Sequence, residues 1–240
     1  MAEGSLQLSV VVPTYNEREN LTPLVERVFA AVDPQHSEII IVDDNSPDGT
    51  AEIARRLADA YPMRTVVRQR ERGLATAVIR GLDEAAGELC VVLDADLSHP
   101  PEAIPKLVEA MRDPSVEAAI GSRFVRGGRV DLHWPLHRRL NSLLGRVLAR
   151  PLTPVRDMMS GFFCVRRAGL RLAGLNPIGY KILLELLVRH RWTRVVEIPI
   201  TFTDRSAGKT KLTVSEQLRY LRHLGRLYAG VCLRRRAGDV

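Results

Sequence analysis

Cysteine is scarce. Cys90, Cys164 and Cys232 stand far apart in 240 residues and form no C-x-x-C pair. That spacing offers no disulfide framework, and a reduced compartment is the expectation. Aromatic residues make up only 5% of the chain and no nucleic-acid-reading motif occurs, so nucleic acid is not an expected partner. No run of eighteen apolar residues is present, and the chain reaches Val10–Val12 without a basic leader. Neither a spanning helix nor a secretory signal is therefore expected. G-x-G-x-x-G and G-x-x-x-x-G-K-[ST] are both missing, which removes the dinucleotide and P-loop readings. There is no G-x-S-x-G for a hydrolase elbow. The histidines are scattered, and Pro135 breaks any helical face shared by His133 and His137, so zinc is not expected.

What is present is charge, unevenly distributed. Residues 1–122 carry 11 Lys/Arg against 21 Asp/Glu, a net of −10, whereas residues 123–240 carry 24 against 7, a net of +17. An acidic half suits a metal cation. A basic half suits phosphate or an anionic membrane.

The first 120 residues alternate apolar strands with amphipathic helices. Strands are predicted at Leu8–Pro13, Ile39–Asp43, Thr65–Arg68, Glu88–Leu93 and Val116–Gly121, with helices between them. This pattern gives an α/β fold with a mainly parallel sheet flanked by helices. Beyond it the spacing predicts a loop over 124–134, a basic helix over Leu136–Ala149, strands at Met158–Val165 and Val195–Phe202, and a helix around Ile182–Arg189. A final helix begins at Val214. Its wheel puts Val214, Leu218, Leu221, Leu224 and Tyr228 on one face, with Arg219, Arg222, His223 and Arg226 on the other. That helix would either dock on the core or, with Arg234–Arg236, lie on anionic lipid.

Ligands of open parallel sheets bind beyond the carboxyl ends of the strands. Pro13–Glu17, Asp43-Asp44, Asp94-Ala95-Asp96 and Ser122-Arg123 all fall there. Asp48, just before Gly49, reads instead as a turn or cap residue. Asp94 and Asp96 repel each other unless a cation lies between them, and hard oxygen ligands suit Mg²⁺ or Mn²⁺. Such an ion would neutralise a departing diphosphate.

V-V-P-T-Y-N-E (11–17), V-D-D-N-S-P-D-G-T (42–50) and D-A-D-L-S-H-P-P-E (94–102) resemble family 2 glycosyltransferases of the GT-A fold. G-S-R-F (121–124), G-G-R-V (127–130), S-G-F-F (160–163), G-Y-K-I-L-L-E (179–185) and D-R-S-A-G-K-T-K-L (204–212) bring the resemblance closer to dolichol-phosphate (polyprenol monophosphate) mannose synthases. The resemblance runs from about residue 8 to 225. It implies a single GT-A catalytic domain over 6–230, with a Rossmann-like nucleotide-sugar and metal half (6–122) and an acceptor half (123–230). Residues 1–5 and 233–240 are expected to be flexible tails.

The implied reaction is inverting transfer of mannose from GDP-mannose to a polyprenyl phosphate at the cytoplasmic face of a membrane, with a membrane-anchoring subunit left open. Matching the motifs assigns the guanosine end of the donor to Pro13, Tyr15, Glu17, Val42 and Asp44. Asp94, Ala95 and Asp96 would face diphosphate and metal, with Ser98 at a further metal-contacting position. Arg123, Arg138 and Ser142 match positions around the acceptor phosphate. Arg205 and Lys211 match a loop that closes over the donor, which Arg123 also borders. Asp96 and Arg123 are the expected catalytic pair. Gln69–Leu74 departs from the family's pattern and receives no role. A UDP-sugar donor passed to a lipid phosphate or glycan, and a nucleotide- or nucleic-acid-binding module without catalysis, remain the alternatives.

Overall fold

A computed structural model describes residues 6–130, 136–203 and 214–236, with side-chain surroundings for these except 136–142, 214–216 and 234–236. The main sheet contains β1 (Leu8–Thr14), β2 (Ser37–Asp43), β3 (Met63–Val67), β4 (Leu89–Val92), β5 (Ala118–Ser122), β7 (Phe163–Arg166) and β8 (Val195–Pro199). A two-residue strand β6 (Arg129–Val130) pairs with β9 (Thr201–Phe202) in a separate ribbon. The order in the main sheet is β3-β2-β1-β4-β7-β5-β8, and β7 alone runs antiparallel to its neighbours. β1 and β2 are buried along their whole length. Their almost unbroken Val/Ile runs are what a parallel strand covered on both faces requires.

Successive residues of each strand feed opposite layers. Val10, Val12, Ile39 and Ile41 meet Leu21, Leu24, Val25 and Val28 of α1 (Arg18–Ala31) and Ile104 and Leu107 of α4 (Ile104–Ala110). α2 (Thr50–Leu57) adds Ala54 to this layer. On the other face, Val11, Ile40, Val42 and Val92 meet Ala77, Val78 and Leu82 of α3 (Leu74–Glu84). Leu183, Leu184 and Leu187 of α6 (Ile182–His190) join them. Full burial of each such Leu or Ile contributes about 1.5–3 kcal/mol. α5 (Leu136–Ala149) and α7 (Val214–Arg236) complete the described elements.

Five expectations need correction. The strand predicted at Met158–Val165 is extended only over Phe163–Arg166, because residues 157–162 turn to bring Asp157 and Gly161 to neighbouring elements. The single strand predicted at Val195–Phe202 divides at Ile200, and β6 arises inside the expected 124–134 loop. The tail expected from residue 233 is helical as far as Arg236.

The fifth concerns α7. Leu218 and Leu221, grouped by the wheel with Leu224 on the apolar face, are 62% and 50% exposed, while His223, grouped with the arginines, is fully buried beside Leu224 and Leu227. A charged cluster sets this rotation. His223 Nε2 lies 2.7 Å from Oε2 of the fully buried Glu185, and His223 Nδ1 lies 3.1 Å from the Ile178 carbonyl oxygen. Arg189 Nε and Arg226 Nη2 donate to the same carboxylate at 3.2 and 3.1 Å.

Burial alone would raise the pKa of Glu185, but the hydrogen bond and charge of His223, aided by Arg226, bring it down to about 2. Since the folded value lies below the ordinary 4.5, this contribution is present above about pH 4.5 and is lost as pH falls toward 2. Glu185→Gln should therefore lose about 3–5 kcal/mol at pH 7, where the cations are left without their partner. The variant should also show a shallower loss of stability between pH 4.5 and 2. Urea unfolding across that range is the measurement, and an unchanged acid slope would refute the assignment.

Candidate active site

The carboxyl ends of β1, β2, β4 and β5 open on one side of the sheet. Two turns there are laced together. Thr14 Oγ1 donates to Asp43 Oδ1 at 2.9 Å, and Ser46 Oγ donates to the same oxygen at 2.6 Å. Asn16 N donates in turn to Ser46 Oγ at 3.0 Å. Asp48 accepts from Thr50 N at 3.0 Å and Arg18 N at 3.2 Å, so of its two readings the turn is the one seen, with Gly49 at the N-cap of α2. Asn16, Asn45 and Leu97 follow the ends of β1, β2 and β4, and all three have φ between 54° and 59°. For leucine this left-handed conformation is strained, and such strain gathers at sites where geometry is held for use.

The β1–β2 side of the site contains residues that the motifs did not single out. Asp44 is 5% exposed and accepts Nε of the buried Arg68 at 2.7 Å and Gly73 N at 2.8 Å. Arg68 Nη2 binds the same carboxylate and donates to the Gly73 carbonyl oxygen at 2.9 Å. Asp44 thus anchors the 69–73 loop, and its carboxylate is largely committed to that work. The anchored loop sets Arg72 over the Tyr15 ring, 5.2 Å from its centroid. Glu17 accepts from Asn20 Nδ2 at 2.7 Å, and its own N–H donates to Thr50 Oγ1 at 3.0 Å. Pro13 and Val42 are buried and face each other in register. The Val42 side chain packs against α3, and the residue is wholly buried.

At the end of β4, Ala95 and Asp96 are buried and Asp94 is half-buried. Asp96 Oδ1 accepts Ser98 N at 3.1 Å. Ser98 Oγ is buried and makes no hydrogen bond among the described residues. The same is true of both ring nitrogens of His99, which is 2% exposed. His99 Nδ1 lies 3.6 Å from Asp94 Oδ2, and the ring is wedged between Phe162 and Phe202. Burial pushes the His99 pKa below its ordinary value despite the opposing charge of Asp94, so the ring is neutral at pH 7.

Among the described residues no group of three or more His, Cys, Asp and Glu could hold a metal unaided. Two carboxylates beside an unsatisfied serine hydroxyl instead fit an ion that shares its shell with phosphate oxygens. Mg²⁺ and Mn²⁺ are bound in that way, and these donors are chemically right for them.

Arg123 follows β5. Its backbone N, Nε and Nη2 all donate to the fully buried Asp157, at 2.9, 2.8 and 2.7 Å. Glu197 fixes the Asp157 turn by accepting the N–H groups of Arg156 and Asp157, each at 2.9 Å. The Arg123 guanidinium lies 5.2 and 5.0 Å from the Phe124 and Phe202 ring centroids, and Arg146 lies 3.7 Å from that of Phe124. Sequence reading missed Arg68, Arg72 and Asp157, although each lies close to a motif. Arg138 and Ser142 belong to α5, but their side chains lie outside the described residues, as Arg205 and Lys211 do altogether.

The sequence matches the model of Glycosyl transferase family 2 over residues 9–171. A dolichol-phosphate mannosyltransferase of Pyrococcus furiosus is 46% identical over 226 residues, covering 92% of this chain and 64% of that protein. This chain therefore spans a little under two thirds of that relative's length. The Saccharomyces cerevisiae dolichol-phosphate mannosyltransferase is 42% identical over 236 residues, covering 93% of this chain and 88% of its own. Among solved structures, a Pyrobaculum calidifontis mannosyltransferase in complex with GDP-Man and Mn²⁺ superposes with a TM-score of 0.67 at 22% identity. The match covers 95% of this chain and 64% of that one, and it identifies the fold as GT-A.

Proposed function

The chain belongs to glycosyl transferase family 2, among the dolichol-phosphate mannosyltransferases, and from that premise we propose that it passes mannose from GDP-mannose to a polyprenyl phosphate. The observation that carries the reading is the placement of an acidic pair and an arginine after the carboxyl ends of β4 and β5, on the same side of the sheet. The Asp94/Asp96 pair supports a metal-bridged diphosphate, and the Arg123–Asp157 unit supports the anionic acceptor. A bound Mg²⁺ or Mn²⁺ would supply charge neutralisation for the departing GDP.

The chain's own residues do the positioning. Arg72 and Tyr15 form a stacked wall at the nucleotide end. Arg123 spends Nε and one Nη2 hydrogen on Asp157, so Nη1 and the second Nη2 hydrogen remain for a phosphate oxygen. A phosphate monoester has its second pKa near ~6 and is already largely dianionic at pH 7, so no strong general base is needed. One acceptor oxygen attacks the anomeric carbon in line as the GDP oxygen departs, which inverts the configuration. Ser98 would complete the metal contacts, while Arg138, Ser142, Arg205 and Lys211 keep the roles expected from their motifs.

The membrane reading has separate support. Every exposed large apolar side chain among the described residues lies on α5 (Leu143, Leu144, Val147, Leu148) or α7 (Leu218, Leu221, Leu233). The two helices are joined where Tyr220 and Tyr228 hydroxyls donate to the Gly145 and Leu148 carbonyl oxygens, both at 2.7 Å. Basic Arg219 and Arg222 lie exposed beside the leucines. Such a patch suits an anionic bilayer. No described helix is long and apolar enough to cross a membrane.

The test is transfer of label from GDP-mannose to polyprenyl phosphate in anionic vesicles with Mg²⁺ or Mn²⁺, together with co-sedimentation of the protein. Labelled lipid is expected, with GDP inhibiting far better than UDP. Stronger inhibition by UDP would favour the other donor, and no product at any prenyl length would sink the proposal.

A further inference from the structure

We propose that Gly161 is a positioning residue for Asp94, acting through the absence of its side chain. Its backbone is outside the left-handed region, so alanine could adopt the same dihedral angles. The demand for glycine is steric. A Cβ at this position would stand 2.9 Å from both Cγ and Oδ1 of Asp94 and closer still to Oδ2. The three nearest atoms are thus the whole Asp94 carboxylate.

The turn carrying Gly161 has little room to retreat. Ser160 Oγ donates to the Gly121 carbonyl oxygen at 2.8 Å and accepts Phe162 N at 3.1 Å. Gly121 N donates to the Phe162 carbonyl oxygen at 2.9 Å, which ties both ends of the turn to β5. Across the carboxylate stands His99, held between Phe162 and Phe202. A methyl group at 161 would therefore turn the Asp94 carboxylate rather than shift the backbone. Asp94 would then be turned away from the orientation in which it, with Asp96, would hold a divalent ion. S-G-F-F becomes a template for the metal-side carboxylate in addition to being the approach to β7.

The consequence for the metal rests on the proposed function, but the steric contact does not, and one set of variants separates them. Wild type, Gly161→Ala, Asp94→Ala and the double variant are compared by Mn²⁺ titration in the presence of GDP, with free Mn²⁺ read by electron paramagnetic resonance, and by thermal unfolding. Gly161→Ala should bind Mn²⁺ at least tenfold more weakly than wild type, and adding it to Asp94→Ala should weaken binding no further. Wild-type Mn²⁺ affinity in Gly161→Ala, or an equal further loss in the Asp94→Ala background, would overturn the proposal. If Gly161→Ala does not fold, a double variant that folds as well as Asp94→Ala supports the contact, and one that also fails refutes it. Should wild type bind no Mn²⁺ with GDP, the metal reading falls, and the unfolding comparison alone decides the contact.

Discussion

Asp96→Asn is expected to lower mannosyl transfer at least about a thousandfold, equivalent to about 4 kcal/mol of lost transition-state stabilisation. The substitution keeps size and shape, and the amide oxygen can still accept Ser98 N, as the carboxylate does at 3.1 Å. What disappears is one of the two charges that a divalent ion would bridge at the end of β4. Without metal the variant should be at least as stable as wild type, because a like-charge pair has been relieved. The increase in melting temperature that Mn²⁺ and GDP give wild type should vanish. Parallel assays of initial rate and thermal shift make the check, and activity within tenfold of wild type would remove Asp96 from the reaction.

A comparably large effect is expected at Asp157, a residue that motif reading passed over. Asp157→Ala should cost about 3–5 kcal/mol in denaturant unfolding, since Arg123, with only 11% of its side chain exposed, would lose its counter-charge. Transfer should fall as well, with the requirement for acceptor rising more than that for donor, because Arg123 would no longer be aimed. The informative comparison is Arg123→Met/Asp157→Leu. Replacing both members of a buried pair with apolar groups of similar volume commonly restores stability. Here it should return most of the folding free energy and none of the transfer. Recovery of both together would make the pair purely structural.

The strand–helix alternation of the first 120 residues was readable because each strand is covered on both faces and each helix on one, so periodicity and burial agree. The strand-end carboxylates were readable for a related reason: placement after an apolar run is a local property. Failures came where distant residues decide. Nothing near Asp157 indicates that its carboxylate meets a guanidinium 34 positions earlier in the chain. The wheel of α7 counted leucines and missed that Glu185, 38 residues before His223, draws that histidine inward. Arg68 ends a predicted strand and Gly73 belongs to a stretch given no role, yet both occupy the Asp44 carboxylate that the motif assigned to the donor. In each case a buried ion needing a partner outweighed local pattern.

The antiparallel β7 has a consequence for synthesis. β4 and β5 are not neighbours in the sheet, and β7 is the strand that joins them. When residues 1–122 have left the ribosome, β1 to β4 can already pair, but β4 presents a bare edge and β5 has nothing to pair with. A further forty or so residues must emerge before Phe163–Arg166 can close that gap. An exposed apolar edge over that interval is an aggregation hazard. Stalled chains from which residues 1–122 but not 163–166 have emerged should therefore be protease-sensitive holdase clients, whereas chains from which β8 has emerged should resist digestion.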